Sequence, residues 1–182
     1  MYLVLIFLAS LPLYRAVKPL WSAAVTILTS PRSRPTILEI SSLPVTGSFA
    51  VAEICTNHFP PEELIHNRIR DKQLFVLEEN GTLHGAFAFI IGEDPTYLQI
   101  DDGSWLSDAP YGTIHQIASD GTIHGFFSQI VDYCWAQIPH LRVDTHADNQ
   151  IMQHLIQKNG FEQRGIIYVL NHSPRIAFER VK

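Results

Sequence analysis

Residues 112–161 follow one repeated order, a β-rich run, a polar turn and an amphipathic run, and this order limits the folds open to the chain. The run YGTIHQIAS leads through the glycine-containing loop SDGTIHG into FFSQIVDYCWAQI, whose apolar residues recur at helical spacing. LRVDTH is a second β-rich run, and IMQHLIQKN is a second helical run that ends before Gly160. Strands that alternate with helices predict an α/β domain.

The sequence on either side of this segment predicts further elements. Asn80-Gly81 separates QLFVLEE from TLHGAFAFII and predicts a tight hairpin, because both central residues tolerate positive φ. Residues 37–40, TYLQI, GIIYVL and RIAFERV are further strand candidates, and PEELIHNRIRD predicts a helix.

The helix within IMQHLIQKN carries its own start and face signals. Asp148 or Asn149 is suited to cap its N-terminus. Ile151, Leu155 and Ile156 are predicted to form its apolar side.

Composition bounds the class of protein. The 182 residues are 46% apolar, which is enough for the core of one domain. Thirteen Lys and Arg against eighteen Asp and Glu give a net charge of -5, so nucleic acid is not an expected ligand. The two cysteines are too few for a disulfide framework and fit a reducing compartment.

The first 35 residues differ from the rest. Residues 1–38 contain four bases and no acid, and 21 of the first 29 residues are apolar. Three alternatives are open for residues 1–35: a targeting or membrane-associated leader, a helix that packs on the domain, or an extension outside the working fold. Residues 36–182 are predicted to form the domain itself.

The loop from Asp120 to Gly125 is where ligand chemistry is expected. Its glycines allow close backbone approach, and the start of the following helix offers backbone N–H groups suited to a pyrophosphate. The spacing matches neither a Walker loop nor a dinucleotide fingerprint.

From residue 60 onward, the order of elements resembles the GNAT superfamily of acyl-CoA N-acyltransferases, most specifically in DTHADNQIMQHLIQKNGFEQRGII. The resemblance implies a mixed, largely antiparallel central sheet flanked by helices, and acetyl-CoA as the co-substrate. Asn149 matches the asparagine that contacts the pantetheine or phosphate arm, and Gly160-Phe161 match the turn into the next strand. The residues implied to bind the cofactor are Ile117, Ala118, Ser119, Gly121, Thr122, His124, Gly125 and Asn149.

The reaction implied by the resemblance needs a base for the amine, and histidine titrates in the right range. The predicted catalytic residues are His115, His146 and His154, and the carboxylate alternatives are Glu78, Glu79 and Asp144. Ile156 occupies the position of the tyrosine that often protonates the departing thiolate in the family, and His154 is an alternative acid. No metal site is expected, because the His and Asp spacing matches no metal motif.

Two functions are consistent with these observations. The first is an N-acetyltransferase that moves an acetyl group from acetyl-CoA to a primary amine of a small molecule or peptide. The second is an acyl-CoA-binding or regulatory module with the same fold and no turnover. We expect a cytoplasmic protein, with membrane association only through residues 1–29. The sequence does not determine the oligomeric state, and a homodimer is one alternative.

Overall fold

A computed structural model describes residues 6–7, 35–39, 61–80 and 82–182 of the chain. The strands are β1 (Ile6–Phe7), β2 (Thr36–Glu39), β3 (Leu74–Glu79), β4 (Thr82–Ile91), β5 (Gly112–Ser119), β6 (His140–Thr145), β7 (Glu162–Tyr168) and β8 (Pro174–Val181). The helices are α1 (Glu62–Arg70), α2 (Phe126–Gln137) and α3 (Gln150–Lys158). Apart from residues 6, 7 and 35, the predicted leader lies outside the described residues.

The strands form a mixed, mostly antiparallel sheet, as predicted. Hydrogen-bonded neighbours follow the order β2-β3-β4-β5-β6-β8-β7, and β1 pairs with β5. The β2–β3, β3–β4, β6–β8 and β7–β8 pairs are antiparallel, whereas β5 pairs with β6 in parallel. Within the described residues, no helix is both long and apolar enough to span a bilayer.

The chain divides into two compact units. Of the described residues, the N-terminal unit contains those up to Ala88 and Gln116–His124, and the C-terminal unit contains Phe89–His115 and Gly125–Lys182.

In the N-terminal unit, the predicted hairpin is confirmed. Glu79 pairs with Thr82 across a two-residue turn, and Asn80 has a φ of 52°. Helix α1 contacts β3 because its apolar residues fall on one face. One buried apolar cluster of this unit contains Ile65, Ile69, Leu74, Val76, Leu83, Ala86 and Ala88.

In the C-terminal unit, the predicted helices and final strand pair are confirmed, and α2 and α3 both contact β6. The buried face of α2 consists of Phe126, Phe127, Ile130, Val131 and Cys134. In α3, Asn149 is the cap rather than Asp148, because its side chain accepts the Met152 N–H. Ile151 was wrongly assigned to the apolar side and is 58% exposed, since Met152 and Ile156 form the buried face. Gly160 ends the helix with a φ of 81°, as predicted.

The prediction of a strand at TYLQI is wrong, because Pro95–Tyr97 forms a 3-10 turn there. Proline fixes the backbone of the first turn residue, and the Asp94 side chain caps the turn by accepting the Thr96 N–H. Tyr97 is buried as a result.

A loop protects the outer strand of the sheet. Asp101 and Ile166 exchange two backbone hydrogen bonds of 2.8 Å, so the loop after the 3-10 turn covers part of β7. A Cβ atom on Gly103 would overlap the carbonyl oxygen of Arg164. Glycine is therefore required there for close backbone approach.

We expect Gly103→Ala to lower the free energy of unfolding by about 1–3 kcal/mol, because backbone atoms must move to accommodate the methyl group. Urea unfolding measures the effect. Ser104→Ala is the matched control, because Ser104 is exposed and contributes only its carbonyl oxygen to Arg164. Equal stabilities of the two variants would contradict the close approach.

Candidate functional site

Strand β5 loses its parallel partner after three residues. Gly112, Thr113 and Ile114 pair with β6, and the described pairing ends there although β5 continues to Ser119. Two residues later, Gln116 has a φ of 51°. This left-handed backbone is disfavoured for a residue with a Cβ atom and interrupts the regular pleat of the strand.

The end of β5 carries three of the predicted cofactor residues. Ile117, Ala118 and Ser119 are all buried. The backbones of Ala118 and Ser119 pair in parallel with Ile6 and Phe7, so this edge of β5 accepts an extended partner.

The predicted glycine loop is anchored to β4 by a histidine. His84 Nδ1 lies 3.1 Å from Asp120 Oδ2 and 2.8 Å from the Thr122 hydroxyl oxygen. The Thr122 hydroxyl donates to Asp120 Oδ1 at 2.6 Å. His84 was not among the predicted site residues, because it lies 36 residues from Asp120 in the chain.

Three successive backbone amides of this loop are used inside the protein. Asp120 N–H donates to the His84 carbonyl, Gly121 N–H to the Ser119 hydroxyl and Thr122 N–H to the Asp120 carboxylate. Burial raises the pKa of Asp120, but hydrogen bonds from Thr122 and His84 outweigh it and leave the pKa lowered. A carboxylate therefore already occupies this turn.

The N-terminus of α2 has backbone N–H groups that no described side chain caps. Gly125 is its N-cap residue, with a φ of 68°, and no side chain of the described residues forms a capping bond there. Because the first amides of a helix have no partner within the helix, this end favours an anion. His124 and Gly125, both predicted to bind the cofactor, are exposed there.

Asn149 is buried, and only the oxygen of its side-chain amide forms a described hydrogen bond. It is 3% exposed, and its Oδ1 atom accepts the Met152 N–H at 3.1 Å. Its Nδ2 atom is buried and has no hydrogen-bond partner within the part of the chain that the structure describes. Buried donors are rarely left unmatched, so this nitrogen marks a position for an acceptor.

His115 belongs to a charged cluster in the C-terminal unit, which contains Asp94, Tyr97, His115, Asp144 and Arg175. His115 Nε2 lies 2.9 Å from Asp94 Oδ2, and its Nδ1 lies 3.7 Å from Asp144 Oδ1. Tyr97 donates its hydroxyl proton to Asp144 at 2.6 Å, and Arg175 Nε lies 3.7 Å from the same carboxylate. Both ring nitrogens of His115 therefore face carboxylates.

The surroundings set two protonation states in this cluster. Burial raises the pKa of Asp94, but the hydrogen bond and charge of His115, with hydrogen bonds from Thr96, hold it well below its ordinary value. Burial, followed by the charge and hydrogen bond of Asp144, raises the pKa of the Tyr97 hydroxyl well above its usual range. Asp94 is therefore ionised and Tyr97 neutral at physiological pH.

The other predicted catalytic residues lie apart from this cluster. His146 follows β6, is partly exposed, and accepts the Asp148 N–H at Nδ1. His154 is exposed on α3, whereas Ile156, at the tyrosine position, is fully buried. Of the carboxylate alternatives, Glu78 is buried in β3 and Asp144 lies in the charged cluster.

A second buried ion pair holds the loop before β5. Glu179 is fully buried and accepts from His140 Nε2 at 2.7 Å, Arg142 Nε at 2.9 Å and the Leu106 N–H. The Arg142 guanidinium lies between the rings of Trp105 and Tyr111, at 4.0 and 3.9 Å from their centroids.

Sequence reasoning missed Asp94, Tyr97, Gln116 and Arg175. Asp94-Pro95 is a turn signal, and it predicts a turn capped by Asp94 in place of the strand. Nothing in the local sequence marks Gln116 or pairs Arg175 with Asp144.

Comparison with known proteins finds no protein-family profile and no curated protein that matches the sequence. Solved structures do match. An acetyltransferase of the GNAT family from Streptococcus agalactiae superposes with a TM-score of 0.67 and 24% identity, covering 81% of this chain and 95% of that one. The chain has the GNAT fold.

Two further GNAT-fold structures have named substrates. An aminoglycoside N(6')-acetyltransferase from Legionella pneumophila matches with a TM-score of 0.58 and 12% identity, over 82% of this chain and 92% of that one. An acetyltransferase from Salmonella typhimurium that modifies the N-terminal serine of a ribosomal protein matches with a TM-score of 0.57 and 11% identity, over 84% and 98%. The predicted resemblance is confirmed at the level of the fold.

We expect Asp94→Asn to make the free energy of unfolding less sensitive to pH in the acidic range. The folded pKa of Asp94 lies below the unfolded value, so its contribution is present above about pH 4 and is lost as the pH falls toward the folded pKa. At neutral pH the variant loses about 1–3 kcal/mol because the charged partner of His115 is gone.

Thermal unfolding across an acidic pH series measures this difference. Asp108→Asn is the control, because Asp108 is exposed. A constant gap between wild type and Asp94→Asn at every pH would contradict the role of the ionised carboxylate.

Proposed function

We propose that this protein is an N-acetyltransferase that moves an acetyl group from acetyl-CoA to a primary amine of a small molecule or peptide. The observation that carries the proposal is the unmatched Asn149 Nδ2 atom. An unpaired buried donor costs stability, and an acceptor oxygen on a bound molecule would remove that cost. The GNAT resemblance assigns this residue to the arm of acyl-CoA, whose amide carbonyls and phosphates supply such oxygens.

The residues present fit an acyl-CoA with one restriction. The uncapped start of α2 offers backbone N–H groups to a phosphate. The amides of Asp120, Gly121 and Thr122 are already bonded within the protein. Phosphate binding therefore depends on the amides that follow Thr122 rather than on the whole loop.

Acetyl-CoA supplies an activated thioester carbonyl when bound. The chain's part is to hold the reacting groups in line and to polarise that carbonyl. Backbone N–H groups of Ile117–Ser119 are the donors we assign to this role, and acetyl-CoA would replace Ile6 and Phe7 as the partner of Ala118 and Ser119. The left-handed backbone of Gln116 supports the assignment. It directly precedes Ile117 and changes the direction of the strand backbone at that point.

The amine must lose a proton, and the three histidines differ in suitability. His115 has a carboxylate facing each ring nitrogen, which suits it to positioning the charged cluster rather than to exchanging a proton with substrate. His146 and His154 keep exposed ring edges and are the candidates for proton transfer.

Two observations support the class of acceptor, namely the substrates named for structures with this fold and the charge of the chain. The similar structures include enzymes named for an aminoglycoside and for the N-terminal serine of a protein, and both acceptors are amines. Residues 39–182 carry nine bases and eighteen acids, so this part of the chain favours a cationic acceptor.

The second candidate function is a module that binds acyl-CoA without turnover. Two observations favour it: the three loop amides that are bonded internally, and Ile156 where the family's tyrosine would lie.

Release of CoA distinguishes the two functions. The full chain is incubated with acetyl-CoA and a panel of polyamines, aminoglycosides, amino acids and peptides. Amine-dependent release with formation of the acetylated amine supports the transferase. Saturable acetyl-CoA binding without release from any amine supports the module.

Asn149→Asp tests the unmatched donor while preserving the α3 cap, because aspartate keeps the capping oxygen. We expect the variant to bind acetyl-CoA at least about tenfold more weakly, since a donor becomes an acceptor. Calorimetric titration gives the Kd. Asn171→Asp is the control, because its oxygen also accepts an N–H, from Ser173, on an exposed turn. Equal Kd values for both variants would remove Asn149 from the site.

A further inference from the structure

Gln116 has two features that regular strand structure does not explain. The first is its backbone, with a φ of 51° inside β5. A residue with a Cβ atom is strained in this region and persists there only where the surrounding structure holds it. Such residues cluster where ligands bind.

The second feature is its side chain. The Gln116 Oε1 atom is buried and has no hydrogen-bond partner among the described residues. An unmatched buried oxygen is costly and calls for a donor that the described residues do not supply. Backbone strain and the unmatched oxygen are independent observations, and both indicate a bound ligand at this residue.

The position of Gln116 identifies which ligand supplies the donor. It directly precedes Ile117–Ser119, whose backbone N–H groups we assign to the thioester carbonyl of acetyl-CoA. An attacking nitrogen must lie about 3–3.5 Å from the carbonyl carbon, so the amine approaches this same stretch of β5. A carboxamide oxygen there accepts an N–H from the amine.

We infer that the Gln116 carboxamide binds the acceptor amine, with Oε1 accepting one of its N–H bonds, and this rests on the proposed function. A neutral oxygen suits the task. A carboxylate would stabilise the ammonium form, whose nitrogen has no lone pair to attack with, whereas an amide binds the free amine without adding a charge.

The step balances without a redox partner. The amine lone pair forms the new C–N bond, the C–S bond breaks with its electron pair going to sulfur, and the proton that the amine loses ends on that sulfur, so that the products are the acetylated amine and the CoA thiol. The Gln116 side chain holds the nitrogen and takes no proton.

The first test concerns the free protein. Gln116→Met keeps an unbranched side chain and the same backbone strain but removes the carboxamide. We expect its Tm to rise by about 2–4 °C, because an unmatched polar group is gone. Gln163→Met, on the exposed side of β7, is the control and leaves the Tm unchanged. A lower Tm for Gln116→Met would show that the oxygen is already bonded and would overturn the inference.

The second test is kinetic and uses the amine that gives the fastest CoA release. Gln116→Met is expected to raise the KM for the amine about tenfold, the effect of one lost hydrogen bond, and to leave the Kd of acetyl-CoA unchanged. Gln116→Glu is expected to shift the pH profile of kcat to higher pH, because the new charge favours the ammonium form of the bound amine. A merely structural role for Gln116 would not move this profile.

The outcomes separate the two proposals. Wild-type protein that releases no CoA with any amine defeats the proposed function and the acceptor role with it. Wild-type turnover combined with an unchanged amine KM in Gln116→Met defeats the role of Gln116 alone. Weaker binding of acetyl-CoA with an unchanged amine KM would assign Gln116 to the acetyl-CoA site and overturn the inference.

Discussion

The early end of the β5–β6 pairing is the constraint on which the candidate site depends. A parallel pair normally satisfies the backbone of both strands along its length. Here the described pairing stops at Ile114, and Gln116 turns left-handed two residues later. The remaining residues of β5 can therefore present backbone groups to another extended partner. The two-residue strand Ile6–Phe7 pairs with them in this way. Acyl-CoA binding by this chain would use the same property.

Buried charged side chains connect the elements of the C-terminal unit around the start of β5. His115 links the 3-10 turn, through Asp94, to β6, through Asp144. Glu179 and Arg142 hold the following loop by hydrogen bonds and by stacking on two aromatic rings. Each buried charge in these two clusters has an opposite partner, and removal of one partner would leave the other uncompensated. These clusters fix the backbone from which the irregular part of β5 continues.

Most of the fold could be predicted because its signals are local. Asn80-Gly81 fixed the expected turn, the spacing within FFSQIVDYCWAQI marked α2, and Asn149 with Gly160 marked the ends of α3. The 3-10 turn at Pro95 was missed because TYLQI has β-rich composition, and composition alone does not report a proline held by an aspartate cap. The charged cluster joins residues 21 to 47 positions apart, and no local pattern contains such pairs. The backbone of Gln116 is imposed by its surroundings and has no signature in the glutamine itself.

The central claim is that this GNAT fold has kept an acyl-CoA site, and the melting temperature of the full chain with acetyl-CoA tests it most directly. A ligand at about 100 times its Kd adds about 2.7 kcal/mol to the stability of the folded state. For a chain of this size, that corresponds to a Tm increase of roughly 5–10 °C. We predict such an increase with acetyl-CoA and a smaller one with an adenine nucleotide that lacks the pantetheine arm. An unchanged Tm at millimolar acetyl-CoA would contradict the account and would mean that the fold has lost its usual ligand.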